Sequence, residues 1–351
     1  MTETQPLRIL FAPREICGQM QLLAEGFRAR GHVATAVGYH TASHGVQNDL
    51  CLHFEKKSRT RQLAASLAFT KQAIRDYDIF HFFFGRSLMP RNLDLPLLKR
   101  LGKKIFVHFR GSDIRSRTWV SEVVMPQALG RSPTGQFPRS TPRQLKQLAI
   151  WRRYAGALFV SIPELTEIVP EALVVQQTID LCRWPYNPEN GQSSNPEIVI
   201  GHATSNRKIK GTAHLVTAVN QLRDRGHSLR LDIIEGIDHK DVATRYRQCH
   251  IGVDELVQGS YGNVAIELMA GGKPVIANLG PWYRGNRPDC PIVHSGPAEI
   301  GARLEELISD RERRQQLGAA GRCYVEKWHD VRSLVDRLTD IYTHSNEERE
   351  L

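Results

Sequence analysis

The chain has 351 residues, 41% of them hydrophobic, enough to bury a full core and long enough for two domains. No run of 18 or more apolar residues occurs and the start, MTETQPLRIL, lacks a basic-then-apolar leader, so the expectation is a cytoplasmic protein without a membrane span. The formal net charge of +10 is unevenly placed: residues 1–180 hold 25 Lys+Arg against 14 Asp+Glu, whereas 181–351 hold 22 against 23.

That asymmetry points to an anionic partner for the N-terminal half. A phosphorylated acceptor fits, as does a peripheral contact with an anionic surface at the inner membrane face; a basic face that only keeps the protein in solution is the plain alternative. No RNA- or DNA-binding motif accompanies the charge, so no specific nucleic acid is expected. The six cysteines are scattered without a C-x-x-C pair and are expected as buried thiols, and His202 and His214 have no partner at metal-ligand spacing.

In chain order, Leu7 to Ala12 reads as a buried strand. A loop carrying Gly18 leads to a helix with Leu22, Leu23 and Phe27 on one face, and Val33 to Val37 is the next strand, the opening βαβ of an α/β domain. A helix over 61–74 precedes the buried strand DIFHFFF, whose His81 is expected in the core. The stretch KIFVHFRGSDIR places His108 and Arg110 on one face of a strand that ends in a Gly-Ser-Asp turn. Groups at the carboxyl end of such a strand face the ligand crevice, so Asp113 with His108 or Arg110 lines a pocket, or Asp113 merely caps the turn. Residues 114–145 read as a loop, 144–154 as a basic amphipathic helix, and 157–161 as a strand. The Pro/Asn/Gly/Ser-rich stretch 185–196 reads as a linker, which divides the chain into domains 1–188 and 189–351.

The second domain opens with a strand at 198–201 and the loop HATSNRKIKGT. A helix at 214–225, a strand at 229–234 and a helix at 243–249 follow. Then comes the most informative stretch, IGVDELVQGSYGNVAIELMAGGKPVIAN, a strand, a glycine-interrupted loop, a helix ending at Gly271-Gly272, and a second strand. Glycines allow positive φ and close backbone approach, and a helix N-terminus attracts phosphate. An ordinary strand–loop–helix packing unit would look similar over a shorter span. Residues 282–291 read as a loop, and 299–308 and 331–342 as amphipathic helices.

This stretch resembles the donor-binding signature of glycosyltransferase family 4, retaining enzymes of the GT-B fold, whose pattern is E-G-F-G, four residues, then E-A-M-A-x-G-x-P-V. Glu267, Met269, Ala270, Gly272, Pro274 and Val275 fit, with Gly262 and with Tyr261 for phenylalanine, while Gly259 stands where the family has its first glutamate. The resemblance implies an α/β protein of GT-B fold, two Rossmann-like domains facing a central cleft, with the last helix returning to the N-terminal domain. It implies transfer of a sugar from a UDP- or GDP-sugar to an acceptor hydroxyl, with retention and without a metal or cofactor. The acceptor would be a glycan, a lipid-linked or a small molecule, and anionic given the basic N-terminal half. Arg207 and Lys210 would grip the diphosphate. Gly18, Ser205, Asn206 and the loop Gly259, Ser260, Tyr261, Gly262 and Asn263 would contact the donor, and Glu267 the ribose. His108, Arg110 and Asp113 would line the acceptor and sugar side. Another activity on the same fold, such as an epimerase, and a non-catalytic binder of an anionic partner remain as alternatives.

Overall fold

The computed structural model describes residues 5–42, 47–133, 135–188 and 197–344; the latter part of the expected linker, 189–196, and the acidic tail, 347–351, lie outside the described residues. The chain divides into two compact units, the first comprising Met1–Ser116, Arg139–Thr178 and Val331–Leu351, the second Arg117–Pro138 and Ile179–Asp330. The main run of the first unit thus ends at Thr178, ahead of residue 188 where the linker composition suggested a boundary.

The first unit is built on seven strands, β1 (Arg8–Ala12), β2 (Val33–Gly38), β3 (Leu50–Cys51), β4 (Ile79–Phe83), β5 (Lys104–Phe109), β6 (Ala157–Val160) and β7 (Leu173–Val174). All pairings are parallel and the order is β3-β2-β1-β4-β5-β6-β7, the doubly wound Rossmann arrangement with one strand added. Strand alternation sorts the side chains into two layers. Leu10, Ala12, Phe80, Phe82, Val107 and Phe109 enter one apolar cluster; Ile9, Phe11, Ile79, Phe83, Phe106 and Phe159 enter the other. Helices cover both faces, so the strands read as nearly continuous apolar runs. The second layer is completed by Val331, Leu334, Val335, Leu338 and Tyr342 from the helix Val331–His344, which packs on the helix Gln19–Ala29.

The second unit has five parallel strands, β8 (Ile198–Ala203), β9 (Leu229–Ile234), β10 (Ile251–Val253), β11 (Val275–Ala277) and β12 (Val293–His294), ordered β12-β11-β10-β8-β9. Read from β9, this is the other common doubly wound order, with its reversal between β8 and β10. Both units are therefore Rossmann-like and the α/β expectation holds.

Several local expectations are corrected. The stretch read as a loop over 114–145 is helical from Arg117 to Ala128, with a widened turn over Val120–Val124. The supposed loop 282–291 begins with the helix Pro281–Asn286, proline supplying its first residue. The helix Arg311–Trp328 was not foreseen. Its polar sequence holds Gly318 and Gly321, which read as breakers but are contact points: a Cβ on Gly318 would meet the Gly272 carbonyl, and one on Gly321 would lie 3.1 Å from the Met269 side chain. All six thiols are free, but only Cys249 is buried, and Cys17, Cys182 and Cys323 are exposed against expectation. The basic helix Pro142–Tyr154 turns Leu148 and Trp151 into the core, the indole donating to the Gly85 carbonyl at 2.9 Å.

Candidate functional site

The reversal in the second sheet lies where the chain leaves β8 and β10, and there Lys210 meets Asp254. Lys210 closes a single helical turn, Arg207–Lys210, whose first N–H groups are capped by the Asn206 side chain at 3.2 Å. Its ammonium bonds Asp254 and lies 3.2 Å from the Glu255 carboxylate. Burial alone would lower the lysine's pKa; the two carboxylates more than reverse that and raise it, so Lys210 stays charged. The other Asp254 oxygen accepts from the Gly262 and Ala265 N–H groups, at 2.8 and 3.3 Å. Asp254 is fully buried and joins a cation to the first turn of the helix Asn263–Ala270.

That capping changes the expected picture of a bare helix tip waiting for phosphate. A carboxylate of the chain itself occupies part of it. Gly262 has an extended backbone, φ −117°, so the positive φ expected of the loop glycines is not used there. A Cβ on Gly262 would make only ordinary contacts, 3.8 Å from the Lys210 nitrogen and 3.7 Å from Asp254, so steric space does not require glycine there either. Gly259 accepts from Gly280 N–H at 2.7 Å, and the buried Ser260 donates its N–H to the Gln258 carbonyl. Tyr261 turns inward, its hydroxyl 3.0 Å from both Tyr324 and His329.

Arg207 and Lys210 are not joined around one empty space. Arg207 is exposed and grips Glu235, at the end of β9, with Nε and Nη2. Ser205 and Asn206 are exposed beside it. Glu267, the resemblance's ribose ligand, is buried one turn into its helix and borders a small pocket with Trp184, Tyr246, Arg247 and Lys273. His202 is a satisfied core residue, bonded to the Val253 carbonyl and the Thr212 hydroxyl. Sequence reasoning passed over Asp254 and Glu255. Two acids directly after a short buried strand at a sheet's reversal were the available signal.

The first unit has a parallel arrangement at its own reversal, between β1 and β4. Gly18 adopts the left-handed φ of 77° before the helix Gln19–Ala29, and Glu15 caps that helix by accepting from the N–H groups of Ile16, Met20 and Gln21. Asp113 folds back onto its own turn, accepting from Arg110 N–H at 3.0 Å and Gly111 N–H at 2.8 Å, the capping alternative. His108 lies under the second core layer, Nε2 2.9 Å from the Val175 carbonyl, and burial holds its pKa well down. His81 is likewise buried, bonded to Tyr342, its pKa pushed down to about 3 by burial and the Arg110 charge. Arg110 lies over the Phe83 ring, 5.7 Å from its centre. Burial pushes its pKa down to about 10, opposed by Glu15, Cys17 and Asp113, so it remains a cation. Among the described residues no three His, Cys, Asp or Glu side chains converge on a metal position, and no helix is long and apolar enough to cross a membrane.

No protein-family model matches the sequence, and no curated protein matches it. Solved structures match the fold. A sucrose-phosphate synthase from Thermosynechococcus elongatus aligns over 97% of this chain and 99% of its own, with a TM-score of 0.65 at 16% identity. Anabaena HepE in complex with UDP and glucose aligns over 96% and 99%, TM-score 0.62 at 12% identity. An alpha-glucosyltransferase in complex with UDP and a 13-mer DNA containing an A:G mismatch aligns over 96% and 100%, TM-score 0.59 at 13% identity. These neighbours are GT-B glycosyltransferases, and the chain shares their fold.

Proposed function

We propose that this chain transfers a sugar from a nucleotide-diphosphate sugar, UDP- or GDP-linked, to an acceptor hydroxyl, with retention at the anomeric carbon. The observation that carries the reading is Lys210, a cation kept charged by Asp254 and Glu255 at the carboxyl edge of the second sheet, with the Gly262 backbone also beside it. Structural neighbours with UDP in the same fold support it. As the bond from the anomeric carbon to the diphosphate breaks, negative charge grows on the leaving oxygen, and a fixed cation stabilises that charge without a metal. The acceptor oxygen forms the new bond on the same face, and its proton passes to the departing phosphate. Arg207 would exchange Glu235 for a phosphate oxygen, and an exposed ion pair is weak enough to allow it. Glu267 would hold the ribose. In this reading His108, Arg110 and Asp113 belong to the acceptor side, and the protein works in the cytoplasm.

A peripheral contact with an anionic lipid surface belongs to the same reading. Leu63, Leu67, Leu97, Leu145 and Ile150 are exposed on helices interleaved with Arg and Lys, and those helices cover one face of the first unit's sheet. One observation favours the rival reading, another activity on this fold or a non-catalytic binder: Asp254 and Glu255 already neutralise Lys210.

A thermal-shift panel of UDP, GDP and their sugars, followed by product detection, tests the proposal. One nucleotide should raise the melting temperature, and Lys210→Ala should weaken it roughly 10- to 100-fold, the loss of a charge-assisted contact. Equal nucleotide affinity in wild type and Lys210→Ala would remove the donor site from this place.

A further inference from the structure

Among the described residues, Arg30, Arg152, Arg207 and Arg245 each pair with a carboxylate through the same edge of the guanidinium, Nε together with Nη2. Arg30 holds Asp336 at 2.8 and 2.9 Å, Arg152 holds Glu171 at 2.5 and 3.1 Å, and Arg207 holds Glu235 at 2.9 and 2.6 Å. Arg245 holds Asp232 in the same way. This edge presents two parallel N–H groups at the spacing of two oxygens on one carbon or phosphorus.

Arg110 has no such partner. It is only 7% exposed, and its Nε and Nη2 are buried with no hydrogen-bond acceptor among the described residues. Its acidic neighbours leave that edge open: Glu15 is turned to the N–H groups of Ile16, Met20 and Gln21, and Asp113 to those of Arg110 and Gly111. The charge is felt by both, yet neither bonds the guanidinium. A buried donor pair left without an acceptor is costly, and an ordinary salt bridge would have removed the cost. Phe83 lies against the cation and the β1 loop adjoins it, so the open edge sits at the reversal of the first sheet, where doubly wound units take their ligands.

We infer that Arg110 is an oxyanion site: its Nε/Nη2 edge takes a carboxylate or phosphate monoester carried by a small molecule bound at the first unit. Lysine would not replace it, because a point charge cannot match two oxygens at once. The inference stands on the first unit and does not need the donor reading of the second.

Calorimetric titration of the full chain with glucose 6-phosphate, glucuronate and glucose tests it. At least one of the two anions should bind wild type tenfold or more tighter than neutral glucose, and which one does so separates phosphate from carboxylate. Arg110→Gln should lose at least that tenfold, and Arg110→Lys should recover only part of it. Unliganded Arg110→Gln should melt at or above wild type, because the guanidinium bonds nothing in the chain through this edge; a clear drop would mean it serves the fold and would overturn the assignment. So would anion binding unchanged in Arg110→Gln, or neither anion exceeding glucose in wild type. UDP added in parallel keeps the two readings apart. A UDP response without an anion response removes this inference alone, and the reverse removes the donor reading alone.

Discussion

Asp254 shows how one side chain ties the candidate site together. It neutralises Lys210 with one oxygen and caps the helix Asn263–Ala270 with the other, from a fully buried position. Removing one partner of a buried pair leaves the other uncompensated, at a cost of roughly 3–5 kcal/mol. Glu255 stays beside Lys210 and softens that cost, so Asp254→Asn should destabilise the protein by about 2–3 kcal/mol, read from urea unfolding. No loss would mean that Glu255 and water suffice. His81 gives a pH signature in the first unit. An unfolded histidine takes its proton near pH 6.5, whereas the buried ring resists until about pH 3. The folded pKa is the lower one, so stability is lost as pH falls through that window, by about 1.4 kcal/mol per pH unit for this group. The pair His81→Phe with Tyr342→Phe removes both ends of the bond while keeping aromatic packing, and its acid limb should be shallower by about that slope in unfolding measured from pH 7 to pH 4. An unchanged limb would assign the acid sensitivity to His108 and His202, whose pKa values burial also lowers.

At the scale of elements, the helix Arg311–Trp328 separates composition from packing. Its apolar residues are too few for a sequence stripe, because glycine faces rather than leucines make the contact. Gly318→Ala would drive a Cβ into the Gly272 backbone, which a neighbour cannot avoid by rotating, and should cost about 1–3 kcal/mol. Gly285→Ala, in the helix Pro281–Asn286 with open space around it, should be neutral or stabilise by up to roughly 1 kcal/mol. Melting both variants side by side checks the contrast. The elements that were legible share a different trait. Strands β1, β4 and β5 are apolar on both faces, and helices such as Ile300–Ser309 have a single apolar stripe, so periodicity alone placed them. Arg117–Ala128 lacked such a stripe: none of its residues is buried.

Over the whole molecule, the two units are not two consecutive lengths of chain. The helix Val331–His344 lies at the far end of the sequence but completes the core of the first unit, Tyr342 stacking on Phe27. Truncation after Asp330 should therefore expose Phe27 and Phe106 and unfold the first unit, since losing even one large buried aromatic costs about 3–5 kcal/mol. Hydrogen exchange should speed up in β1 and β4 and stay slow in β8 and β10. Uniform loss of protection in both sheets would show that the units do not fold separately.

By itself, the sequence determined the α/β class and the strand–loop–helix–strand arrangement of the 251–278 stretch, because backbone periodicity and glycine spacing are local properties of the chain. Only the tertiary structure decided that Asp254 fills part of the helix tip, that Arg207 is held by Glu235, that Tyr261 faces the core, and that Arg110 is left with a buried, open bidentate edge. Each of those depends on which acids and carbonyls burial brings within about 3 Å of a donor, and the partners that do so come from strands and loops far apart in the chain.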